Sequence, residues 1–337
     1  MKASKLFTGT AALCLALGLG AGMARAEVSE VRIAEQFGIG YLPLQMMRDK
    51  GLLEKHAKRL GLGSIKVSWS RFASGAAMND ALLSGNLDFA SGGVGPLLTI
   101  WDKTKGILDV KGVAAINSMP LYLVTRNPKV KSIRDLTEQD KVALPAVKVS
   151  IQARTLQMAA EKEFGPGKHE VLDKLTVSMR HPDGVAAMLS GQGEITGHMT
   201  SPPFQQQLLA NPGMRRILSS YDVLGGKSTF NVIWAASKFR SGNPKTYQAF
   251  VAALRESMAL INADKAAASG VFMSVTKSKL DPTFVRNIVM DAENEFTLTP
   301  LNTTKYAEFM HRVGALNNKP AGWKDYFFPE IHDLPGS

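Results

Sequence analysis

The feature that most constrains this chain is a fifteen-residue segment that occurs twice. LLSGNLDFASGGVGP at 82–96 aligns with MLSGQGEITGHMTSP at 188–202, which begins 106 positions later. Each copy has the order of a helix end, a glycine, an acidic residue, an apolar strand, a polar loop and a proline. A chain that repeats this order in both halves is expected to build the same strand-to-helix junction twice.

Each residue type in the repeat has a conformational reason. Gly85 and Gly191 suit the left-handed conformation that closes a helix. Pro96 and Pro202 suit a first helical turn, where the N–H is not needed, and Ser201 is expected to cap the second helix. Open α/β sheets bind ligands beyond the carboxyl ends of their strands, where helix N-termini present unpaired N–H groups. The two loops therefore predict a site in a cleft between two lobes.

The rest of the chain alternates short apolar strands with helical segments. Helical periodicity over 42–60 is broken at Gly51, and another helix is predicted from about Ile151 to Phe164. This rhythm predicts an α/β protein with mostly parallel sheets. After Asn243 and Pro244 the pattern becomes helical, which predicts a C-terminal tail packed on one lobe. Strands are predicted at 31–36, 65–72, 109–116, 121–127, 141–145 and 174–179.

The first 26 residues read as a cleavable signal peptide. A basic start and a short apolar core precede Ala24-Arg25-Ala26, an A-x-A cleavage signal. Cys14 leaves a lipoprotein as the alternative, although Leu13 is a poor residue before a lipid-bearing cysteine. Cleavage after residue 26 would lower the formal net charge from +11 to +8 and remove the single cysteine. We therefore expect a soluble periplasmic protein held together by an ordinary core.

The basic residues and histidines exclude several other classes of protein. Lysine and arginine are scattered without a run of five, which argues against nucleic-acid binding. The excess of positive charge therefore has two interpretations: it covers solvated faces, or it speeds the arrival of an anionic small molecule. The six histidines show no metal-ligand spacing, and there is no G-x-S-x-G nucleophile motif. We expect no metal, no cofactor and no catalytic group.

Four segments in a fixed order resemble one family. The segments are 51–62, 72–96, 110–136 and 181–202. From about Val31 to Leu316 the chain resembles the periplasmic solute-binding proteins of ABC importers, in the branch that serves nitrate, sulfonates and taurine. It departs from that family at Glu194-Ile195 and His198, and at the stretch 149–157, so the resemblance does not fix the ligand.

The resemblance implies a two-lobed type II, or Venus-flytrap, fold. Lobe I would comprise residues 27–118 and 228–337, and lobe II residues 119–227. Two crossings, near 117–123 and 227–235, would form the hinge, and both segments are extended and apolar. The resemblance further implies a monomer that binds a small-molecule solute and docks on an ABC permease with its ATPase.

Candidate ligand-binding residues lie in the loops that follow the strands of each half. In the first half they are Gln36, Phe37, Gly40, Tyr41, Ser91, Gly92, Gly93, Val94, Asn117, Ser118 and Met119. In the second half they are Ser150, Ile151, Gln152, His198, Thr200 and Ser201. Ser150 is expected to cap a helix that aims N–H groups at the cleft. His198 is either a structural residue or a donor to an anion. Arg154, in the first turn after Ile151, either reaches the cleft or faces solvent, and we expect the second.

Three functions fit these residues. The first is the capture of a small anionic solute for an importer, by hinge closure around the ligand. The second is an exported enzyme that uses the same cleft, which would need a nucleophile, an acid–base pair or a metal. The third is a ligand-loaded sensor subunit that docks on a membrane receptor.

Overall fold

The computed structural model describes residues 26–337. The predicted signal peptide lies outside the described residues, apart from Ala26. Among the described residues, no helix combines the length and the hydropathy needed to cross a membrane.

Strands and helices alternate through most of the described chain. The strands are β1 (Glu30–Glu35), β2 (Lys66–Arg71), β3 (Ala90–Gly93), β4 (Val110–Ala115), β5 (Tyr122–Thr125), β6 (Lys141–Leu144), β7 (Thr176–Ser178), β8 (Ile195–Thr200), β9 (Arg215–Ser219) and β10 (Asn231–Ala236). The helices are α1 (Leu42–Asp49), α2 (Leu52–Arg59), α3 (Gly75–Leu83), α4 (Val94–Thr104), α5 (Ile151–Phe164), α6 (His181–Leu189), α7 (Phe204–Leu209), α8 (Ser220–Leu224), α9 (Ser237–Gly242), α10 (Pro244–Ala263), α11 (Lys265–Thr276), α12 (Pro282–Met290) and α13 (Thr303–Arg312).

Helix boundaries follow local chemistry. The predicted break at Gly51 is confirmed, because this residue takes a left-handed conformation (φ 55°) between α1 and α2. The tail that begins at Pro244 divides into α10 and α11 at Asp264. The Asp264 carboxylate accepts a hydrogen bond from the Ala267 N–H at 2.8 Å and so caps α11.

The strands form two sheets with the same arrangement. In the first, β1 pairs in parallel with β2, and a bridge between Ile33 and Phe89 joins this pair to β3, β10 and β4. In the second, the order is β7-β6-β8-β5-β9. In each sheet, the fourth strand runs antiparallel to both of its neighbours: β10 in the first and β5 in the second. Both sheets therefore have five strands, of which four run in one direction and the inserted fourth strand, β10 or β5, runs in the reverse direction.

The repeated segment occupies equivalent places in the two sheets. It supplies β3 in the first sheet and β8 in the second, each beside the inserted reverse strand. Gly85 and Gly191 both have positive φ, 72° and 66°. Each glycine carbonyl accepts a hydrogen bond from an arginine, from Arg32 Nη1 at 2.5 Å and from Arg126 Nη1 at 2.8 Å. The sequence repeat is thus a structural repeat, down to the arginine that closes each helix end.

Helices cover both faces of the second sheet. Along β5, Leu123 packs with Leu156 and Met199 on one face, whereas Tyr122 and Val124 pack against the other face. This alternation is the two-residue period of a strand between two layers of helices. The first sheet contributes to the largest apolar core, which also includes buried residues of α10 to α13.

Two chain segments connect the sheets, one between β4 and β5 and one between β9 and β10. They pair with each other at Ser118 and Thr229. The Ser118 hydroxyl donates to the Ser228 carbonyl at 2.9 Å, and the Ser118 N–H donates to the Glu295 carbonyl at 2.8 Å. The predicted boundaries at 118/119 and 227/228 stay a prediction, and we keep the names lobe I and lobe II for the segments that they define.

Candidate functional site

Four helices begin around one small space between the two lobes, which we call the interlobe cavity. Helices α3 and α4 reach it from lobe I, and α5 and α6 reach it from lobe II. Each N-terminus leaves its first N–H groups without a partner inside its own helix and carries the positive end of the helix dipole. The cavity is lined by Gln36, Gly75, Gly93, Pro96, Pro145, Ser150, Ile151, Gln152, His181 and Phe230.

On the lobe I side, Gln36 is the polar side chain on the wall. Its Nε2 lies 3.5 Å from the carbonyl oxygen of Ser91. Gly92 leaves room for this amide, because a Cβ at position 92 would lie 2.9 Å from Gln36 Nε2. The Ser91 hydroxyl is engaged elsewhere, since it donates to the Ala34 carbonyl at 2.5 Å. Lobe I thus presents one side-chain amide and the starts of α3 and α4.

On the lobe II side, Ser150 fixes the start of α5. Its hydroxyl accepts from the Ala153 N–H at 3.2 Å and donates to the Ala146 carbonyl at 2.8 Å. The prediction that Ser150 caps this helix is confirmed. Ile151 and Gln152 follow it into the wall, so the first turn of α5 faces the cavity.

Two buried histidines stand one behind the other in lobe II, with ring centroids 5.5 Å apart. His181 lines the cavity, and its Nδ1 lies 2.8 Å from Thr200 Oγ1 while its Nε2 lies 3.5 Å from Gln152 Nε2. His198 donates from Nδ1 to the Ala143 carbonyl at 2.9 Å. Burial lowers the pKa of His181 well below its ordinary value and lowers that of His198 to about 4. Both rings are therefore neutral at pH 7, and each can bind only as a dipole.

Several predicted site residues belong to the hinge. Asn117 Nδ2 donates to the Gly40 carbonyl at 2.6 Å and lies 3.0 Å from Asn231 Oδ1, and Asn231 Nδ2 donates to the Tyr41 hydroxyl at 3.0 Å. Ser118 pairs with the second crossing. These side chains tie the two crossings to the loop after β1 and lie outside the cavity wall.

The structure brings together only part of the predicted set. Gln36, Gly93, Ser150, Ile151 and Gln152 line the cavity. The remaining predicted residues lie beside it, in the hinge or in a neighbouring pocket: Phe37, Gly40, Tyr41, Ser91, Gly92, Val94, Asn117, Ser118, Met119, His198, Thr200 and Ser201.

Sequence reasoning missed five residues of the wall: Gly75, Pro96, Pro145, His181 and Phe230. Two of them carried a usable signal. His181-Pro182 opens α6 with a proline in its first turn, and Gly75 follows Ser74, which caps α3 by accepting from the Ala77 N–H at 3.3 Å. Pro145 and Phe230 reach the cavity through strand pairing that no local pattern reveals.

Three local predictions about lobe II residues are wrong. Ser201 does not cap α7 with its hydroxyl, because the helix begins at Phe204 with Pro203 as its N-cap, Pro203 has no N–H to donate, and the Phe204 N–H donates to the Ser201 carbonyl at 2.9 Å instead. For the same reason Pro202, predicted for the first helical turn, lies before that turn. Arg154 does not face solvent. It is 9% exposed, and its Nη1 donates to Gln157 Oε1 at 2.9 Å.

The lobes are in close contact in this structure. A side chain at Gly93 would overlap Ile151, and a Cβ at Gly95 would lie 2.7 Å from the Val149 carbonyl oxygen. The Ile39 N–H donates to the Pro202 carbonyl at 3.1 Å across the same gap. The space left in the cavity is about 10 Å³, room for about one water molecule.

A model of the NMT1-like family matches residues 24–273, which include both sheets. The chain belongs to the NMT1-like family. No curated protein sequence matches it. The predicted relationship to solute-binding proteins of the nitrate, sulfonate and taurine branch extends to the fold, which this chain shares with solved structures of an alkanesulfonate-binding and a nitrate-binding protein.

Solved structures show the fold of this NMT1-like chain. The alkanesulfonate-binding protein SsuA from Xanthomonas axonopodis pv. citri, bound to MOPS, is 17% identical, with 87% of this chain and 96% of that chain covered and a TM-score of 0.69. The periplasmic nitrate-binding protein NrtA from Synechocystis PCC 6803 is 16% identical, with 86% and 83% covered and a TM-score of 0.67. A conserved Candida albicans gene product with the generic periplasmic binding protein fold is 12% identical, with 87% and 92% covered and a TM-score of 0.66. The predicted two-lobed type II fold is confirmed.

Size alone does not select the site in this NMT1-like fold. A much larger pocket, of about 440 Å³, lies on lobe I, with Arg32, Leu87 and Phe239 among its lining residues. Its walls come from lobe I, so a hinge movement leaves it unchanged. The interlobe cavity is far smaller here, yet it is the space that four helix N-termini share and that lobe separation would enlarge. Among residues 26–337, no group of three or more histidine, aspartate or glutamate side chains is placed to hold a metal ion.

Proposed function

We propose that this chain is the periplasmic solute-binding subunit of an ABC importer, and that it holds a small anionic solute between its lobes. The observation that carries the proposal is the convergence of four helix N-termini from both lobes on one cavity. In each half the site lies beyond the carboxyl ends of strands, where open α/β sheets bind ligands. The solute is then handed to a permease energised by its ATPase.

The cavity wall can bind an anion although none of its side chains carries a full positive charge. Its polar side chains are Gln36, Ser150, Gln152 and the neutral His181. A partly buried anion gains up to about 2 kcal/mol from a helix N-terminus and about 1.5–3 kcal/mol from each hydrogen bond to it. Micromolar affinity needs about 8 kcal/mol, so a few such terms suffice.

Similar proteins support an anionic solute. The names of the solved structures with this fold include alkanesulfonate-binding and nitrate-binding proteins and a ligand-binding component of an ABC-type import system. These ligands carry oxygen atoms that accept several hydrogen bonds. Helix N-termini and side-chain amides supply the matching donors.

Uptake of a solute requires the lobes to separate. About 10 Å³ of free space holds no nitrate or sulfonate, so the solute-bound form is wider than the conformation described here. The two paired crossings allow such a hinge movement. A solute that bridges both lobes shifts the equilibrium toward the closed form only to the extent that it binds the closed form more tightly than the open form.

The proposal is one of binding without turnover. Among the described lining residues there is no cysteine, carboxylate or lysine, and the Ser150 hydroxyl is engaged in capping α5. A monomer suffices, since the residues of one chain surround the cavity. An enzyme that used this cleft would chemically change the solute, which separates the two functions.

The test is calorimetric titration of purified protein, stripped of bound solute, with nitrate, methanesulfonate, taurine and acetate. We expect micromolar binding of at least one anion and its recovery unchanged by mass spectrometry. Gln152→Leu should weaken that binding about 10- to 100-fold, through loss of a hydrogen bond to a charged group. Gln192→Leu, at an exposed position of the same lobe, is the matched control. No binding of any anion, or turnover of a bound one, would refute the proposal.

A further inference from the structure

A second space between the lobes lies next to the interlobe cavity, and we call it the mouth pocket. Its volume is about 360 Å³, within the range of small-molecule sites, which are lined mainly by apolar and aromatic side chains. Phe37, Phe272 and Leu280 line it from lobe I, and Val185 and Phe204 line it from lobe II. Because both lobes supply its walls, an occupant would bridge them.

Neighbouring residues connect the mouth pocket to the cavity. In lobe I, Gln36 lines the cavity and Phe37 lines the mouth pocket. In lobe II, His181 lines the cavity and Pro182 lines the mouth pocket. The Phe204 ring stacks on the His181 imidazole, with centroids 5.4 Å apart and planes 18° from parallel. One solute can therefore reach both spaces once the lobes separate.

Two guanidinium groups lie beside the Phe37 ring: that of Arg71, which lines the mouth pocket, and that of Arg180, which lies outside its lining. The guanidinium of Arg71 lies 5.3 Å from the centroid of the Phe37 ring, and that of Arg180, from the other lobe, lies 5.9 Å away. Arg71 is paired with Glu35 at 2.6 Å and Arg180 with Asp183 at 2.6 Å. The pairing holds both guanidinium groups beside the ring, where they favour a π-system or an anion.

We propose that the mouth pocket receives the aryl group of an aromatic anion whose acidic group faces the helix N-termini of the interlobe cavity. This inference rests on the proposed function and names its substrate class, an arenesulfonate or arenecarboxylate. The cavity has no room for an organic body, whereas the mouth pocket already does. Three phenylalanine rings in its walls give an aryl group stacked and edge-to-face contacts that an alkyl group does not make.

The experiment compares solutes that differ only in the organic group. Stripped protein is titrated calorimetrically with benzenesulfonate, cyclohexanesulfonate and methanesulfonate, and with benzoate and acetate. We expect benzenesulfonate or benzoate to bind at least 10-fold more tightly than the methyl counterpart, and more tightly than the cyclohexyl compound. Comparison of the sulfonate series with the carboxylate series shows which acidic group the protein binds more tightly.

Two variants locate the aryl group. Phe272→Leu keeps an apolar side chain but removes a ring, and Phe37→Ala removes the ring that both arginines lie beside. Each should weaken aryl binding about 5-fold or more and leave methanesulfonate binding unchanged. Phe239→Ala, half-buried on lobe I outside the mouth pocket, is the control, and the folding of each variant is checked by its unfolding midpoint.

The outcomes separate this inference from the proposed function. Equal binding of aryl and methyl anions, or pocket variants that behave like the control, would overturn the aryl site and leave solute capture standing. No binding of any anion would overturn both. Aryl binding that the pocket variants weaken and the control does not would support the inference.

Discussion

At the scale of single residues, glycines, which have no side chain, shape the contact between the lobes as much as the side chains that line the cavity. Gly93 and Gly95 let the backbone of lobe I touch lobe II, and Gly92 makes room for the Gln36 amide. Gly93 has φ −71°, which any residue can adopt, so its backbone does not require glycine. Its role is the close approach of the two lobes.

Gly93→Ala is expected to disfavour the tight closure. The new Cβ would overlap Ile151, and overpacking of this kind costs about 1–3 kcal/mol, which lowers the closed-to-open equilibrium constant about 5- to 150-fold. The Ile39 N–H, bonded across the gap to Pro202, then exchanges faster with solvent deuterium. Gly213→Ala, where a Cβ meets nothing within 4 Å, serves as the control, and equal exchange in the two variants would contradict the expectation.

At the scale of elements, the sequence predicts where helices and strands begin and end better than it predicts which elements pack against each other. The repeat at 82–96 and 188–202 predicted both helix ends correctly, because glycine and the strand that follows it act locally. It did not predict that His181, rather than His198, reaches the cavity, since that depends on α6 packing against β8. Ser201 failed as a cap for a local reason that the sequence did contain, the two prolines that follow it.

The start of α5 offers a prediction about binding as well as stability. Ser150→Ala removes a helix cap, which costs about 1 kcal/mol of unfolding free energy, and frays the turn that faces the cavity. We expect anion affinity to fall about 5-fold in titrations with methanesulfonate or nitrate. Asp281→Ala removes the cap of α12, where the carboxylate accepts from the Phe284 N–H at 2.8 Å. This control should lose similar stability and keep its affinity, and a parallel loss of affinity would contradict a role for the α5 terminus.

At the scale of the whole molecule, burial of two histidines links stability to pH. His181 and His198 are neutral in the folded protein, and both have pKa values lowered by burial. In the unfolded chain they take up protons below about pH 6.5. The unfolded state therefore binds more protons, and the free energy of unfolding falls as the pH drops through this range.

For His198 the loss extends from about pH 6.5 down to its folded pKa of about 4. The slope reaches about 1.4 kcal/mol per pH unit for one histidine. Urea unfolding midpoints at pH 7.5, 5.5 and 4.5 measure the change. His198→Gln should flatten the profile relative to the unaltered protein. Identical profiles for the unaltered protein and His198→Gln would contradict the assignment.

The inserted strand β10 also sets the order in which the lobes can be completed. The strands of the second sheet all lie between residues 122 and 219, whereas the first sheet has a gap between β3 and β4 until residues 231–236 arrive. Trp234, fully buried on β10, has no counterpart earlier in the chain to fill its place. As the polypeptide emerges amino end first, residues 122–219 can finish folding while the amino-terminal part of the chain still lacks the strand at residues 231–236.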